Sequence, residues 1–348
     1  MREVSILSIA TAVPGYVIEQ AEIAALAPKV FPEMFERYPV MLDIFRNSGI
    51  ERRHAVRPIE WFLSPRDWRD RSEVFHEEGL ALFERVAAQA IEEAAIDPSE
   101  IDAVVTICSS GVATPTLEAR ALPRLGLRSD VRRVPVFGLG CAGGVSGLSI
   151  AARLASVEAG STVLVVVLEL CSLAFRLDRR TKEDAVATAL FADGAAALVL
   201  RTGDAGPARI RGSAEYIWPD TLDVMGWSFD PVGFGVILSR SVPIFVERRF
   251  PAVAKKLLAA VDLARAEVKR FVCHPGGGKV IDAIERALTL PRGSLDHERE
   301  VLREYGNMSA PTVLFALKRV LAAKPIGAIA LSALGPGFTA SLLSLDVL

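Results

Sequence analysis

GLGCAGGVSG, residues 138–147, follows the apolar run VPVF and leads into a second one, LSIAARLA. Five glycines lie within six residues of Cys141. Glycine costs backbone entropy in any regular element. So dense a cluster around one thiol predicts a sharp strand-to-helix turn that brings a reactive atom, and a ligand, close to the backbone. A strand, a turn and a helix here make the chain α/β, and the remaining sequence is asked whether it supplies partners for the thiol.

The 348 residues suffice for two average domains or one large α/β unit. A composition 51% hydrophobic but only 7% aromatic suits a sheet covered by helices on both faces. With 40 basic and 42 acidic residues the formal net charge is −2, which gives no general attraction to nucleic acid or to an anionic membrane. The cysteines, Cys108, Cys141, Cys171 and Cys273, form no C-x-x-C pair and no metal-like Cys/His spacing, so neither a disulfide scaffold nor a metal is expected. MREVSILSIATAVPG lacks the basic start and long apolar stretch of a signal peptide. The most apolar run, STVLVVVLELCSLAF, is 15 residues long with Glu169 inside it, short of the roughly 20 a membrane span needs. The expectation is a reduced, cytoplasmic protein with no transmembrane segment.

Along the chain, VSILSIATAVP reads as a strand, and residues 69–96 as an amphipathic helix with Leu80, Phe83, Ala87, Ala90, Ile91 and Ala94 at helical spacing. IDAVVTICSSG (101–111) reads as a buried strand running into a small-residue turn, and VPVFGLGC as a strand. GGVSGLSIAARLASVEAG reads as a buried helix, followed by strands STVLVVVLEL and GAAALVLR. After the polar link RTGDAGPA similar units recur: a helix, the strand VKRFVCHPGG, an apolar helix after YGNMSAP, and two strands around a GPG turn. The distance from strand-end Cys108 to helix-start Cys141 is 33 residues, and so is that from strand-end His274 to helix-start Asn307. That weak internal repeat predicts two related α/β halves, 1–205 carrying the cysteine and 206–348 carrying the histidine and asparagine.

Strand ends and helix starts of α/β units meet in one crevice. Cys141, His274 and Asn307 all stand at such places, beside glycine or a turn. A cysteine at a helix start is favoured as thiolate and accepts an acyl group from a thioester. A neutral imidazole and an amide both donate to a carbonyl oxygen and stabilise an enolate formed there. Plainer readings stand beside these: a buried thiol is a small hydrophobe, His274 a turn residue, Asn307 a helix cap. Neighbours on a strand point to opposite faces, so Cys273 reads as structural. Cys108 and Cys171 read as core or pocket lining. His54, His76 and His297 read as surface residues, and Asp193 as a turn former.

GCAGG at Cys141, LFADGAAA at 190–197, HPGGG at 274–278, YGNMSAPTV at 305–313 and GPGF at 335–338 stand in an order and at distances that resemble the type III polyketide synthases, the chalcone synthase group of the thiolase superfamily. The resemblance runs over essentially the whole chain. It implies a thiolase-like fold, two α/β halves packed as αβαβα layers. It implies that Cys141 takes an acyl starter from coenzyme A. His274 would form an ion pair with Cys141 and, with Asn307, bind the malonyl thioester carbonyl. The enolate left by loss of carbon dioxide attacks the acyl-cysteine, and the chain grows by repetition and cyclises. Acyl-CoA and malonyl-CoA are then substrates, and no cofactor is implied. The Cys141 N–H and the turn Gly335, Pro336, Gly337 are implied as the oxyanion hole, and Phe191 as a gatekeeper between the coenzyme A tunnel and the cavity.

Some positions depart from the family pattern. The second gatekeeper phenylalanine falls at Val236, and pocket threonines fall at Ala174 and Cys171. Ser109 and Ser110 are expected at the cavity. Small residues at these places predict an enlarged cavity and a long aliphatic starter, giving an alkylpyrone or alkylresorcinol. Arg46, Arg52 and Arg53 in FRNSGIERRHAVR are the basic residues expected at coenzyme A. Similar proteins are homodimers, which places Thr114 near a partner. Two other functions are compatible with these residues: a single-condensation β-ketoacyl synthase III-like enzyme served by acyl carrier protein, and a non-catalytic acyl-CoA binding protein.

Overall fold

The computed structural model describes residues 2–203, 206–324 and 326–347. In the first half, strand β1 (Val4–Ala12) precedes the long helix α1 (Trp68–Glu93). Then strand and helix alternate: β2 (Ala103–Ile107), α2 (Leu117–Leu125), β3 (Arg132–Val136), α3 (Gly143–Ala155), β4 (Thr162–Leu170), α4 (Lys182–Leu190) and β5 (Asp193–Thr202). The second half runs β6 (Ala208–Ile217), the hairpin β7 (Met225–Asp230) and β8 (Gly233–Leu238), α5 (Val242–Ala260), β9 (Val268–Cys273), α6 (Gly278–Ala287), α7 (Thr312–Ala322), β10 (Gly327–Gly335) and β11 (Thr339–Val347).

Nine of these strands form one mixed sheet in the order β9-β10-β11-β6-β1-β5-β4-β2-β3. The pairs at the two ends, β9 with β10 and β2 with both β3 and β4, are parallel; the central pairs are antiparallel. The halves join at β1, which pairs with β5 from Val4 to Ala12 on one side and with β6 through Val4, Ser5 and Ile6 on the other. β7 and β8 form a separate two-stranded sheet.

Strand alternation sets the layers. On β4, Val163, Val165 and Val167 face a core that α3 and α7 fill, whereas Leu164, Val166, Leu168 and Leu170 face α1 and α2. On β10, Ile329, Leu331 and Ala333 enter that same middle core, while Ala330 and Leu334 face α5 and α6. Helices α3 and α7 are therefore the shared filling between the two wings of the sheet, with helices again on each outer face. Helix α1 begins at a capping box, Asp67 with Asp70. It stops short of the expected 96 because Ala95 turns out of the helix at φ 52°.

The glycines of α3 have a packing reason. A Cβ at Gly144 would stand 2.4 Å from the Ala310 carbonyl oxygen, and one at Gly147 2.5 Å from Ile107. They let α3 lie directly on β2 and on the chain entering α7, which carries the second half's donors toward the first half's thiol. Gly140 is the exception, a true turn position at φ +46°, closed over by Pro336. Among the described residues no helix is long and apolar enough to cross a membrane.

Candidate active site

Cys141 lies in a single 3-10 turn, Gly140–Ala142, that runs straight into α3. His274 follows the last residue of β9, and its N–H donates to the Ser332 carbonyl at 2.9 Å. Asn307 sits in the link before α7. The three side chains line one cavity of about 530 Å³, at the crevice where strand ends meet helix starts.

The asparagine is held on all sides. Its N–H donates to the Leu190 carbonyl and its own carbonyl accepts from Ala192 N–H, both at 2.9 Å, an isolated bridge that flanks Phe191. Its side-chain oxygen accepts from Ser309 N–H at 2.8 Å and its amide donates to the Gly276 carbonyl at 3.1 Å. That leaves one amide N–H for a ligand. Both His274 ring nitrogens are buried with no hydrogen-bond partner among the described residues. Cys141 Sγ is 3.4 Å from Ser309 Oγ, and Ser309 itself adopts φ 59°, a conformation uncommon outside glycine.

Burial decides the charge state. It pushes the Cys141 thiol up to about 12 and the His274 imidazolium down to about 3. Burial by itself thus favours the uncharged form of each group and works against the ion pair that the resemblance implies. Desolvation outweighs the start of the helix at this depth.

Phe191 closes the end of α4 and meets Trp227 of β7 edge-on at 6.0 Å. Val236 of β8 pairs with Trp227 across the hairpin. Phe191, Val236 and Cys171 line the chamber on one side and a narrower apolar pocket of about 100 Å³ on the other. Ala174 lines that side pocket together with Ile23, Val30, Phe31, Phe62 and Phe175. Pro336 lines the chamber, and Gly335 packs so close that a Cβ would stand 2.6 Å from the Ala142 nitrogen. Gly337 takes the positive φ of the turn, +68°.

Several expected positions lie elsewhere. Ser109 and Ser110 line neither cavity; they serve Glu169, a carboxylate buried inside β4. Ser109 donates to it through N–H at 3.0 Å and Oγ at 2.5 Å, while Ser110 Oγ accepts from Leu170 N–H at 2.7 Å. Even so, burial raises Glu169 to about 7. Arg53 is not a phosphate ligand. It is buried, and its guanidinium caps the end of α4 by donating to the Thr188, Ala189 and Phe191 carbonyls at 2.7–2.8 Å. Arg52 is exposed on a short strand, Arg52–Ala55, away from the chamber lining. Arg46 is exposed beside Asp43 and Asn47, which line the chamber, and pairs with Asp43 at 3.6 Å. Arg240 and Lys279 are the basic side chains that do line the chamber; no motif marked them.

Asp193 is no turn former. It opens β5 fully buried and accepts from Val56 N–H, Ser172 N–H and Ser172 Oγ, with burial lifting it to about 6. His54 is half-buried, stacked on Tyr305 and lining the side pocket. Thr114 precedes Pro115 in the loop after β2.

Comparison with known proteins decides the family. Residues 65–204 match the family model for chalcone and stilbene synthases, N-terminal domain, and residues 209–343 match its C-terminal domain. The chain belongs to the chalcone and stilbene synthases, the type III polyketide synthases. A chalcone synthase-like protein of Bacillus subtilis (strain 168) is 35% identical over 355 residues, covering 97% of each chain. A 1,3,6,8-tetrahydroxynaphthalene synthase of Streptomyces peucetius subsp. caesius is 34% identical over 99% of this chain and 93% of that one. The crystal structure of 1,3,6,8-tetrahydroxynaphthalene synthase from Streptomyces coelicolor A3(2) superposes with a TM-score of 0.93 at 26% identity, covering 99% of both chains. The layered architecture of this synthase is thus thiolase-like. Its class is that of enzymes catalysing decarboxylative condensation of acyl thioesters.

Proposed function

We propose that this type III polyketide synthase extends an acyl-CoA starter with a long alkyl chain and releases an alkylpyrone or alkylresorcinol. In this reading His274 takes the Cys141 proton as the starter carbonyl arrives. The sulfur attacks that carbonyl, the thioester C–S bond breaks, and coenzyme A leaves with the proton. Malonyl-CoA then places its thioester carbonyl against His274 and the remaining Asn307 N–H. The bond to the carboxylate breaks, carbon dioxide departs, and the electron pair becomes an enolate held by the two donors. Its carbon attacks the acyl-cysteine, the C–S bond breaks, and the lengthened chain returns to coenzyme A with Cys141 free again. The Cys141 N–H, beside the Gly335–Pro336–Gly337 turn, is the donor for the acyl oxyanion. Arg46, Arg240 and Lys279 at the mouth are the basic groups offered to coenzyme A phosphates. A second copy of the chain covers the outer edge of β3, where Phe137 and Val112 are about half exposed and Thr114 stands close by.

The observation that supports an alkyl starter is the shared wall. The reaction chamber touches an apolar pocket across three side chains only, two of them the small Cys171 and Val236. Such a pocket binds methylenes and little else. The relatives named as tetrahydroxynaphthalene synthases favour a second reading, a fused aromatic built without a long starter. Mass spectrometry of products from purified protein, malonyl-CoA and starters of graded chain length separates the two. Tri- or tetraketide pyrones or resorcinols, best with long chains and absent from Cys141→Ala, are the expected result. A product from malonyl-CoA alone that long starters do not alter supports the aromatic reading. A single condensation that needs an acyl carrier protein overturns both.

A further inference from the structure

The partition between chamber and side pocket consists of three side chains from three separate places: Cys171 after β4, Phe191 at the end of α4, and Val236 on β8. Cys171 is fixed by the buried sheet. The bore therefore depends on how far the β7–β8 hairpin stands from α4. Arg179 spans that gap. Its guanidinium donates to Ser228 Oγ of β7 at 3.1 Å and to the Val236 carbonyl of β8 at 3.2 Å. Its Nε is 3.3 Å from the carboxylate of Asp184, in the first turn of α4. Asp184 is itself fixed by accepting from Thr181 N–H and Oγ at 3.0 and 2.6 Å. The strand makes room for the guanidinium by omitting a side chain: a Cβ at Gly235 would stand 1.9 Å from Arg179 Nη1 and 2.5 Å from Ser228 Oγ. Gly235 is not among the positive-φ glycines, so the glycine there answers to the arginine and not to the backbone.

We propose that Arg179 is a positioning residue, a charged spacer wedged between β8 and α4 that holds Val236 away from Phe191 and so sets the length of acyl chain the synthase accepts. The inference rests on the reading of the side pocket as an alkyl pocket. Without the guanidinium, the hairpin settles onto α4 and Val236 closes the bore. Short starters, which stay in the chamber, are unaffected. Gly235→Ala expels the guanidinium without altering Arg179 and has the same effect.

The test is kcat/KM of purified wild type, Arg179→Ala, Gly235→Ala and the double variant, with malonyl-CoA and either acetyl-CoA or dodecanoyl-CoA. Each single variant is expected to lose about tenfold or more with dodecanoyl-CoA, the range a pocket contact of a methylene or two supplies. Acetyl-CoA turnover stays within about twofold, because no group that touches it has changed. The double variant should match either single one, since both remove the same wedge. Equal losses with both starters, or losses that multiply in the double variant, overturn the inference and leave Arg179 a general structural residue. If Arg179→Ala does not fold, Arg179→Lys takes its place, with an intermediate loss expected because an ammonium cannot fork to both acceptors. A wild type that uses acetyl-CoA but no long starter defeats the alkyl reading, and this inference with it, before any variant is compared.

Discussion

At Cys141 two physical effects compete, and depth settles the contest. A helix start lowers a thiol's pKa and burial raises it; here burial wins and the thiol stands near 12. Alkylation of the free enzyme by iodoacetamide should therefore climb about tenfold per pH unit from pH 6 to 9, in step with the thiolate fraction. A plateau across neutral pH would mean instead that Cys141 and His274 rest as an ion pair. That a thiol, an imidazole and an amide meet in one cavity was legible in the sequence, because each stands beside glycine at a strand end or helix start, and such places share a crevice. Their charge state was not legible, since it depends on how much protein covers them. Arg53 and Asp193 teach the same lesson. A guanidinium in a charged stretch and a carboxylate before glycine look exposed on paper, and both are buried parts of the frame around α4 and β5.

Among elements, α3 shows what the opening stretch was for. Gly138 and Gly140, both at positive φ, serve the turn at the thiol; Gly143, Gly144 and Gly147 serve contact between layers. Gly144→Ala puts a methyl 2.4 Å from the Ala310 carbonyl and 2.8 Å from Val313. Overpacking of this kind costs about 1–3 kcal/mol. The expected outcome is a thermal midpoint lowered by several degrees, with a larger loss of activity than of stability because Ala310 lies three residues from Asn307. An unchanged midpoint would show that the two layers are free to part. Strand and helix order could be read from period and turn residues alone. What the glycines touch could not, because their partners lie on other elements, Ile107 on β2 for Gly143 and Gly147, and Ala310 and Val313 at α7 and its approach for Gly144.

Across the whole molecule, one mixed sheet joins the halves, and its strand β4 carries a buried carboxyl. Glu169 is the informative case. Its folded pKa of about 7 lies above the 4.5 of an ordinary glutamate, chiefly through desolvation. The folded state thus keeps a proton that the unfolded chain gives up. The stability this confers is complete below about pH 4.5 and is lost as pH rises through 7, a change on the order of 3 kcal/mol. Thermal melts from pH 5 to 8 should show a midpoint that falls across this window, and Glu169→Gln should flatten the fall. A wild-type midpoint that rises there would contradict the buried, protonated state. The sequence shows Glu169 as a lone charge in an apolar strand, but the pair of serines that serve it from the turn after β2 is visible only once the strands are side by side.

The backbone bridge on either side of Phe191 has one more consequence. Leu190 and Ala192 are tied to Asn307, so the segment that carries the partition is bonded directly to the asparagine proposed as enolate donor. A backbone shift that widened the chamber would drag the asparagine out of register with the thiol. Variety in product must then arise by exchange of side chains at 171, 191 and 236 over a main chain that stands still. A scaffold wired in this way separates what is inherited unchanged, the chemistry, from what is open to experiment by mutation, the mould in which the chain is cast.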